Sequence, residues 1–164
     1  MPAFSAVNKE PVAPDLGVVC RILLVLPAVM IALNAFDWEG LRFLTSEADL
    51  RLSSAIGIPM QRLSFDTLEW EGKVYQFTAG CTFVHVYFAC IPFLWISGRS
   101  LGRNLLRVAA FAPCFFLLNI ARLAAGDLTY LYVHGLPWEW AHELTTGVAY
   151  FVVWLGLFEW RGRR

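Results

Sequence analysis

The sequence predicts an all-α integral membrane protein with about four transmembrane helices, an amphipathic helix on the outer face and a short β-hairpin. Of its 164 residues, 58% are hydrophobic and only 16% are charged, against roughly 25% charged in soluble domains. The hydrophobic residues collect into four runs of about 20, the length that a helix needs to cross a hydrocarbon core of about 30 Å. The formal net charge is zero, which gives no indication of a nucleic-acid partner.

Four segments have the length and composition of a membrane span. They are predicted at residues 17–35, 79–97, 104–125 and 141–160. The apolar run of the first segment after Arg21 is short, as in a secretory signal peptide. We expect this segment to remain as an uncleaved anchor.

Lys and Arg in the short connections predict the orientation of the spans. Arg99 and Arg103 lie between the second and third spans, whereas the connection 126–140 has two acids and neither Lys nor Arg. Because positive residues stay on the cytoplasmic side, both termini are expected in the cytoplasm and residues 126–140 outside. The predicted organisation is a cytoplasmic segment (1–16), one membrane-embedded domain (17–160) with an outer segment (36–78), and a basic cytoplasmic tail (161–164).

The outer segment contains a predicted amphipathic helix. Its apolar residues recur at three- and four-residue spacing, which is the period of one face of an α-helix. They are Leu41, Leu44, Ala48, Leu52 and Ile56. Such a helix is expected to lie on the membrane surface, and Gly57 and Pro59 end it.

A short hairpin is predicted between this helix and the second span. Residues 63–69 and 73–77 alternate weakly between apolar and polar side chains, and Glu71-Gly72 lies between them. A glycine-containing pair between two alternating runs is typical of a hairpin turn. The hairpin leads directly to Cys81.

Three polar residues occupy positions where the membrane makes them costly: Cys81, Arg122 and His142. Each lies within about one helical turn of the outer end of a different predicted span, so the three are expected at similar depth. A thiol, a guanidinium and an imidazole at one membrane face are the groups of a thiol-dependent acyl-transfer site. They are therefore the candidate catalytic residues.

Cys81 is the candidate nucleophile. A thiol at a helix N-terminus lies at the positive end of the helix dipole, a setting that favours a reactive thiolate. The alternative is a small residue that packs near the interface. Cys20, Cys90 and Cys114 lie in apolar runs without a CxxC pair, so we interpret them as small buried hydrophobes, and neither a disulfide framework nor a zinc site is indicated. Thr82, beside the thiol, is expected to supply a hydrogen bond.

Arg122 is the candidate group for binding a substrate carboxylate or the oxyanion of a tetrahedral intermediate. No acid lies within the same helical turn, so its donors are expected to be free for substrate. Asn119 lies one turn before it and is expected to support the site. The alternatives are that the Arg122 side chain extends to the membrane interface, or that Asp127, just outside the span, pairs with it or caps the helix.

His142 is the candidate general acid and base near neutral pH. The neighbouring tryptophans equally suit an ordinary residue of the membrane interface. Glu143, adjacent in sequence, and Asp127 are expected to support the site or to position substrate. His85, one turn beyond Cys81, is a competing base for which packing or a supporting role is favoured. A quinone or metal site built from Cys81, His85 and His142 lacks ligand spacing, so no cofactor and no metal is expected.

From about residue 41 to residue 158 the chain resembles the exosortase/archaeosortase family of prokaryotic membrane transpeptidases. The motifs that carry the resemblance are Gly57-Ile58-Pro59 after the amphipathic stretch, Ala79-Gly80-Cys81-Thr82 around the cysteine, Asn119-Ile120-Ala121-Arg122 near a span end, and Ala141-His142-Glu143 at the start of the last span. Two features depart from the family. The family commonly has glycine directly after Cys-Thr, where this chain has Phe83, and many members have more than four spans.

The resemblance implies that Cys81 is the nucleophile, that Arg122 stabilises a carboxylate or oxyanion, and that His142 is the acid/base. It implies substrates that are secreted proteins with a C-terminal sorting tail: a short motif, a transmembrane helix and a basic cluster. Cleavage would give an acyl-enzyme, and the acyl group would pass to an amine acceptor. The implied location is the prokaryotic cell membrane, with the site on the outer face.

The alternative from a different class is a non-enzymatic membrane scaffold or assembly protein. In that interpretation Arg122 pairs with an acid or a lipid phosphate, and Cys81 only packs. The two interpretations differ in thiol reactivity, because a scaffold predicts slow alkylation of Cys81 and tolerance of Cys81→Ser.

Overall fold

The structure is a computed structural model that describes residues 16–133 and 135–162. The chain is mostly helical, with a small three-stranded sheet. The elements are α1 (Leu16–Asn34), α2 (Glu39–Ala55), β1 (Gln61–Ser64), β2 (Thr67–Trp70), β3 (Lys73–Gln76), a 3₁₀ turn (Ala79–Thr82), α3 (Val84–Leu94), α4 (Leu101–Tyr132) and α5 (Trp138–Gly162). Apart from Leu16, the predicted cytoplasmic segment 1–16 lies outside the described residues, as do the last two residues of the basic tail 161–164.

Two of the described helices, α1 and α4, are long and apolar enough to cross a membrane. The sequence predicts four spans. The structure shows a mostly helical chain in which these two described helices are candidate spans. The predicted second span at 79–97 corresponds to α3, which has only 11 residues. Such a helix rises about 16 Å, roughly half of a hydrocarbon core.

Local backbone geometry explains why α3 is short. Phe83 precedes it in a left-handed conformation with φ 62°, which separates the helix from the 3₁₀ turn. At the other end Trp95 is extended, with φ −73° and ψ 130°. Arg21 of α1 donates from Nη1 to the carbonyls of Pro92 and Trp95, at 3.0 and 2.9 Å. These bonds satisfy carbonyls that a helix end leaves without an intrahelical partner.

Helix α4 is longer than the predicted third span. It continues past residue 125 to Tyr132, so Gly126 and Asp127 lie inside a helix and not in a connection. Its 32 residues rise roughly 48 Å, which exceeds the thickness of a hydrocarbon core. The last turns of α4 therefore provide a surface on which the outer segment packs.

Helix α2 matches the predicted amphipathic helix in position, but its buried face is polar. Thr45, Ser46, Asp49 and Ser53 are buried, whereas Leu44 of the predicted apolar stripe is 52% exposed. Ser53 on this polar face donates to Asp127 of α4 at 3.1 Å. Ala48, Leu52 and Ile56 of the apolar stripe are partly buried against the cluster of sheet and α4 residues.

The predicted hairpin is part of a three-stranded antiparallel sheet in the order β1-β2-β3. Glu71 and Gly72 form the β2–β3 turn with φ values of 51° and 76°, as tight hairpin turns with two left-handed residues require. The predicted first arm, 63–69, is divided at Phe65-Asp66 into β1 and β2. The Phe77 amide then donates to the Asp66 carbonyl at 2.7 Å, which turns the chain toward Cys81.

Two apolar clusters meet near the site. One includes Phe83, Cys90, Phe115 and Val153 from the packed helices. The other combines sheet residues with the α4 residues Ile120 and Leu123. Of the remaining cysteines, Cys90 is buried as predicted, whereas Cys20 and Cys114 are exposed on helix surfaces, so the prediction of burial is wrong for these two.

Candidate active site

A cavity of about 250 Å³ lies where α2, β3, the 3₁₀ turn, α4 and α5 meet. Residues from all five elements line it, among them Asp49, Tyr75, Cys81, Arg122, Trp138 and His142. The structure therefore brings the three predicted catalytic residues together at one cavity, although they lie on separate segments of the chain.

Cys81 lies in the 3₁₀ turn and not, as predicted, in the first turn of an α-helix. It is partly exposed, and its Sγ is 3.6 Å from Thr78 Oγ1. Thr82 was expected to bond to the thiol, but its hydroxyl donates to the Ala79 carbonyl at 2.7 Å and accepts from the Val84 amide at 3.4 Å. Thr82 thus stabilises the turn and the start of α3, and Thr78 is the hydroxyl beside the thiol.

The Cys81 carbonyl is held by two side chains of α4. Asn119 Nδ2 donates to it at 2.8 Å and Arg122 Nη2 at 3.3 Å. The two side chains also bond to each other, because Asn119 Oδ1 accepts from Arg122 Nε at 3.2 Å and from Nη2 at 3.0 Å. Asn119 is fully buried, so this arrangement fixes the backbone of Cys81 relative to α4.

The Arg122 guanidinium is engaged by the protein and is not left unpaired as the sequence predicted. Besides the bonds to Asn119 and Cys81, its Nη1 donates to Thr146 Oγ1 at 2.8 Å, and its central carbon lies 5.7 Å from the centre of the Phe83 ring. A buried charge requires such partners because desolvation is costly. Thr146 in turn donates to the His142 carbonyl at 2.6 Å, which connects Arg122 to the first turns of α5.

His142 is paired with Asp127. The distance between His142 Nε2 and Asp127 Oδ1 is 3.0 Å, and Asp127 Oδ2 accepts from Ser53 Oγ at 3.1 Å. The alternative pairing of Asp127 with Arg122 is not found. Five residues correspond to roughly 140° of helical rotation, so Arg122 and Asp127 project from different sides of α4.

The His142 ring also packs closely on two neighbours. Its centre lies 4.0 Å from that of the Trp138 ring. A Cβ placed on Gly126 would come within 2.9 Å of three ring atoms, closer than side-chain carbons approach other groups. Gly126 therefore makes room for the imidazole directly before the residue that binds it.

The other predicted supporting residues occupy different places. His85 bonds through Nε2 to the Tyr150 hydroxyl and is not among the described residues that line the cavity. Glu143 is exposed and lines the cavity, together with Glu139 one turn earlier on α5. His85, the competing base, is thus packed between helices away from the cavity. Glu139 and Glu143 give the cavity an acidic rim.

Sequence reasoning missed Asp49 and Thr146. Asp49 is 3% exposed and lines the cavity from α2. The sequence indicates this residue only through its position between Ala48 and Leu50. An acidic residue between apolar neighbours of a packed helix is rarely buried unless its carboxyl group has a partner. Within the described residues, no group of three His, Cys, Asp or Glu side chains is arranged to hold a metal ion.

Comparison of the chain with protein-family models, with curated proteins and with solved structures gives no match.

Proposed function

We propose that this chain is a cysteine-dependent membrane transpeptidase or peptidase, as its resemblance to the exosortase/archaeosortase family implies. The observation that carries the proposal is the convergence of Cys81, Arg122 and His142 on one cavity. A nucleophile, a base and a positioning cation around a space of about 250 Å³ are the parts that acyl transfer requires.

In the first step the Cys81 thiol attacks the carbonyl carbon of a substrate peptide bond. The S–C bond forms, the carbonyl π bond breaks to give an oxyanion, and His142 accepts the thiol proton. Because His142 Nε2 is bonded to Asp127, Nδ1 is the nitrogen available for this transfer. His142 then donates the proton to the leaving amine as the C–N bond breaks, which leaves a thioester on Cys81.

Arg122 and Asn119 act in this mechanism by positioning the nucleophile. Their bonds to the Cys81 carbonyl fix the peptide that carries the thiol, and Arg122 also lines the cavity. Nη1 carries two hydrogens and uses one on Thr146. The remaining N–H is the donor that we assign to the substrate oxygen.

In the second step an amine acceptor gives up its extra proton to solvent and attacks the thioester in its neutral form. The N–C bond forms, the S–C bond breaks, and an amine proton passes by way of His142 to the sulfur, which leaves a new amide and the free Cys81 thiol. The substrates we propose are secreted proteins with a C-terminal sorting tail that includes a transmembrane helix. The bilayer would present such a tail to the helices, and the acyl group would remain with the acceptor. The acidic rim of Glu139 and Glu143 suits an approaching amine, which is cationic at neutral pH.

The topology that we propose has four spans, both termini in the cytoplasm of a prokaryotic cell and the cavity on the outer face. The apolar composition of α1 and α4 supports membrane insertion. The distribution of Lys and Arg in the connections supports the orientation.

The test compares membrane and secreted proteins of cells that carry the wild-type chain, Cys81→Ala or Cys114→Ala. Cys114 is an exposed cysteine outside the cavity and serves as the matched control. We expect an uncleaved precursor with a C-terminal span and basic tail to accumulate with Cys81→Ala only. Normal processing with Cys81→Ala at equal expression would refute the proposal and favour a scaffold.

A further inference from the structure

Asp49 lines the cavity and carries a buried carboxyl oxygen that has no hydrogen-bond partner among the described residues. The residue is 3% exposed, and its Oδ1 is buried without a hydrogen-bond partner in the described part of the chain. An unsatisfied buried polar atom costs about 1–3 kcal/mol, so native proteins retain few of them. An atom of this kind on a residue that lines the same cavity as the candidate nucleophile indicates a partner that arrives with the substrate.

Two hydrogen-bond donors on other residues of the same cavity are also unpaired. Tyr75 Oη and Trp138 Nε1 are buried and lack hydrogen-bond partners among the described residues, and both residues line the cavity with Asp49. Asp49, Tyr75 and Trp138 come from three different elements, α2, β3 and α5. We call Asp49, Tyr75 and Trp138 the donor wall.

The protonation of the wall follows from its surroundings. Burial raises the pKa of the Asp49 carboxyl well above its ordinary value, the negative charge of Asp127 raises it further, and the positive charge of Arg122 opposes them. The other charged or titratable groups around the cavity are Tyr75, Cys81, Glu139, His142 and Glu143. Burial also raises the pKa of Tyr75.

A protonated carboxyl, a phenol and an indole N–H can each donate a hydrogen bond. The ligand that satisfies all three offers acceptors and needs no charge. Backbone carbonyl oxygens of an extended peptide meet this requirement at regular intervals along the chain.

We propose that the donor wall binds the peptide carbonyl oxygens of the substrate next to the bond attacked by Cys81, with Asp49 acting as a neutral carboxylic acid. This inference rests on the proposed function and adds a substrate-binding subsite to it. The outer helix α2 thereby contributes directly to the site, through the polar face that it buries.

The test measures how a peptide aldehyde protects Cys81 of the purified full chain from iodoacetamide. The probe is acetyl-Leu-Leu-norleucinal. Its aldehyde takes up the Cys81 thiol: the S–C bond forms, the C=O π bond breaks, and the thiol proton passes to the oxygen. Its peptide carbonyls then lie where substrate carbonyls would. The corresponding alcohol cannot add the thiol and gives the background.

The informative variants are Asp49→Asn and Asp49→Ala, with Thr45→Val as the matched control. Thr45 lies one turn earlier on α2, is fully buried and also has an unpaired hydroxyl, but it does not line the cavity. We expect Asp49→Ala to weaken protection about fivefold, as the loss of one neutral hydrogen bond does. Asp49→Asn keeps an N–H donor and should stay within about twofold of wild type, as should Thr45→Val.

Protection should also fall in wild type relative to Asp49→Asn as the pH rises through the raised pKa of Asp49, because only the acid loses its proton. Equal protection in wild type and Asp49→Ala would overturn the donor wall, as would Asp49→Asn binding as weakly as Asp49→Ala. A wild-type protein that the aldehyde does not protect would overturn it as well. Normal precursor processing in Cys81→Ala cells would instead overturn the proposed function, so the two failures are distinguishable.

Discussion

Asp127 Oδ1 lies 3.0 Å from His142 Nε2, and in the proposed mechanism this bond leaves Nδ1 as the nitrogen that serves the thiol. A carboxylate oxygen accepts, so Nε2 donates and Nδ1 carries the free lone pair. An acid–imidazole pair of this kind orients the base and stabilises its protonated form during catalysis. In the proposed mechanism Cys81, His142 and Asp127 act as a triad, in which Asp127 comes from the extension of α4 beyond the predicted span.

Asp127→Asn should slow precursor processing roughly tenfold or more, because an amide does not hold the imidazole in the required tautomer. The half-life of the precursor in cells with equal amounts of each variant is the measurement. Ser53→Ala, which removes the other bond to Asp127, should have a much smaller effect. Wild-type processing rates in Asp127→Asn would show that the pair is structural.

Gly126→Ala should impair processing while leaving the helix intact. The new Cβ would lie 2.9 Å from three atoms of the His142 ring and would displace it, whereas alanine is a better helix former than glycine. Gly147→Ala on α5 is the matched control, since nothing lies within 4 Å of its Cβ position. Helical content by circular dichroism and the precursor half-life are measured together. Equal half-lives for the two variants would contradict the predicted displacement.

At Phe83 the usual stability order of alanine and glycine should be reversed. The residue has φ 62° and is 1% exposed, and its ring stacks on Tyr150 with 5.5 Å between the centres. Both Phe83→Ala and Phe83→Gly lose that packing, but the left-handed conformation costs a non-glycine residue about 1 kcal/mol. The glycine variant should therefore unfold at higher temperature than the alanine variant.

The control for this order is Phe115, a buried residue in the interior of α4 that belongs to the same apolar cluster as Phe83. There the alanine variant should be the more stable, since glycine weakens a helix interior by about 1 kcal/mol. Thermal unfolding of the purified variants in detergent gives both orders. The same order at both positions would contradict the backbone argument.

Asp49→Asn should stabilise the protein increasingly as the pH rises. The folded-state pKa of Asp49 is raised above the ordinary value of 3.8, mainly by burial. An acid whose pKa is higher in the folded than in the unfolded state contributes fully to stability below its unfolded-state pKa. That contribution is lost as the pH rises through its folded-state pKa. Asparagine does not ionise, so the difference in unfolding temperature between variant and wild type should be smallest in acid. A constant difference across pH would contradict a neutral Asp49.

Much of the candidate site is predictable from the free-energy cost of placing polar groups in apolar segments. Cys81, Arg122 and His142 lie near the ends of apolar segments, where polar groups are expensive, and the structure brings them to one cavity. Their partners could not be predicted in the same way. Thr146 and Asp127 acquire their roles only because α4 and α5 pack along their length, and sequence periodicity carries no information on which residues then meet.

The short α3 has a similar explanation. The run 79–97 is apolar throughout, and hydropathy gives no signal that Phe83 takes a left-handed conformation or that Trp95 is extended. Both departures depend on tertiary contacts: the stacking of Phe83 on Tyr150 and the bonds from Arg21 to the carbonyls at the end of α3. The buried polar face of α2 was missed because the apolar stripe of the same helix is the stronger signal.

The two hydrogen bonds on the Cys81 carbonyl have a consequence for the entropy of reaction. With the peptide fixed, the sulfur moves by rotation about a single bond, χ1, which has three staggered positions. Choosing one of three positions costs at most about 0.6 kcal/mol. If Cys81 is the nucleophile that we propose, most of the ordering that brings it to its target is completed when the protein folds, before any substrate arrives.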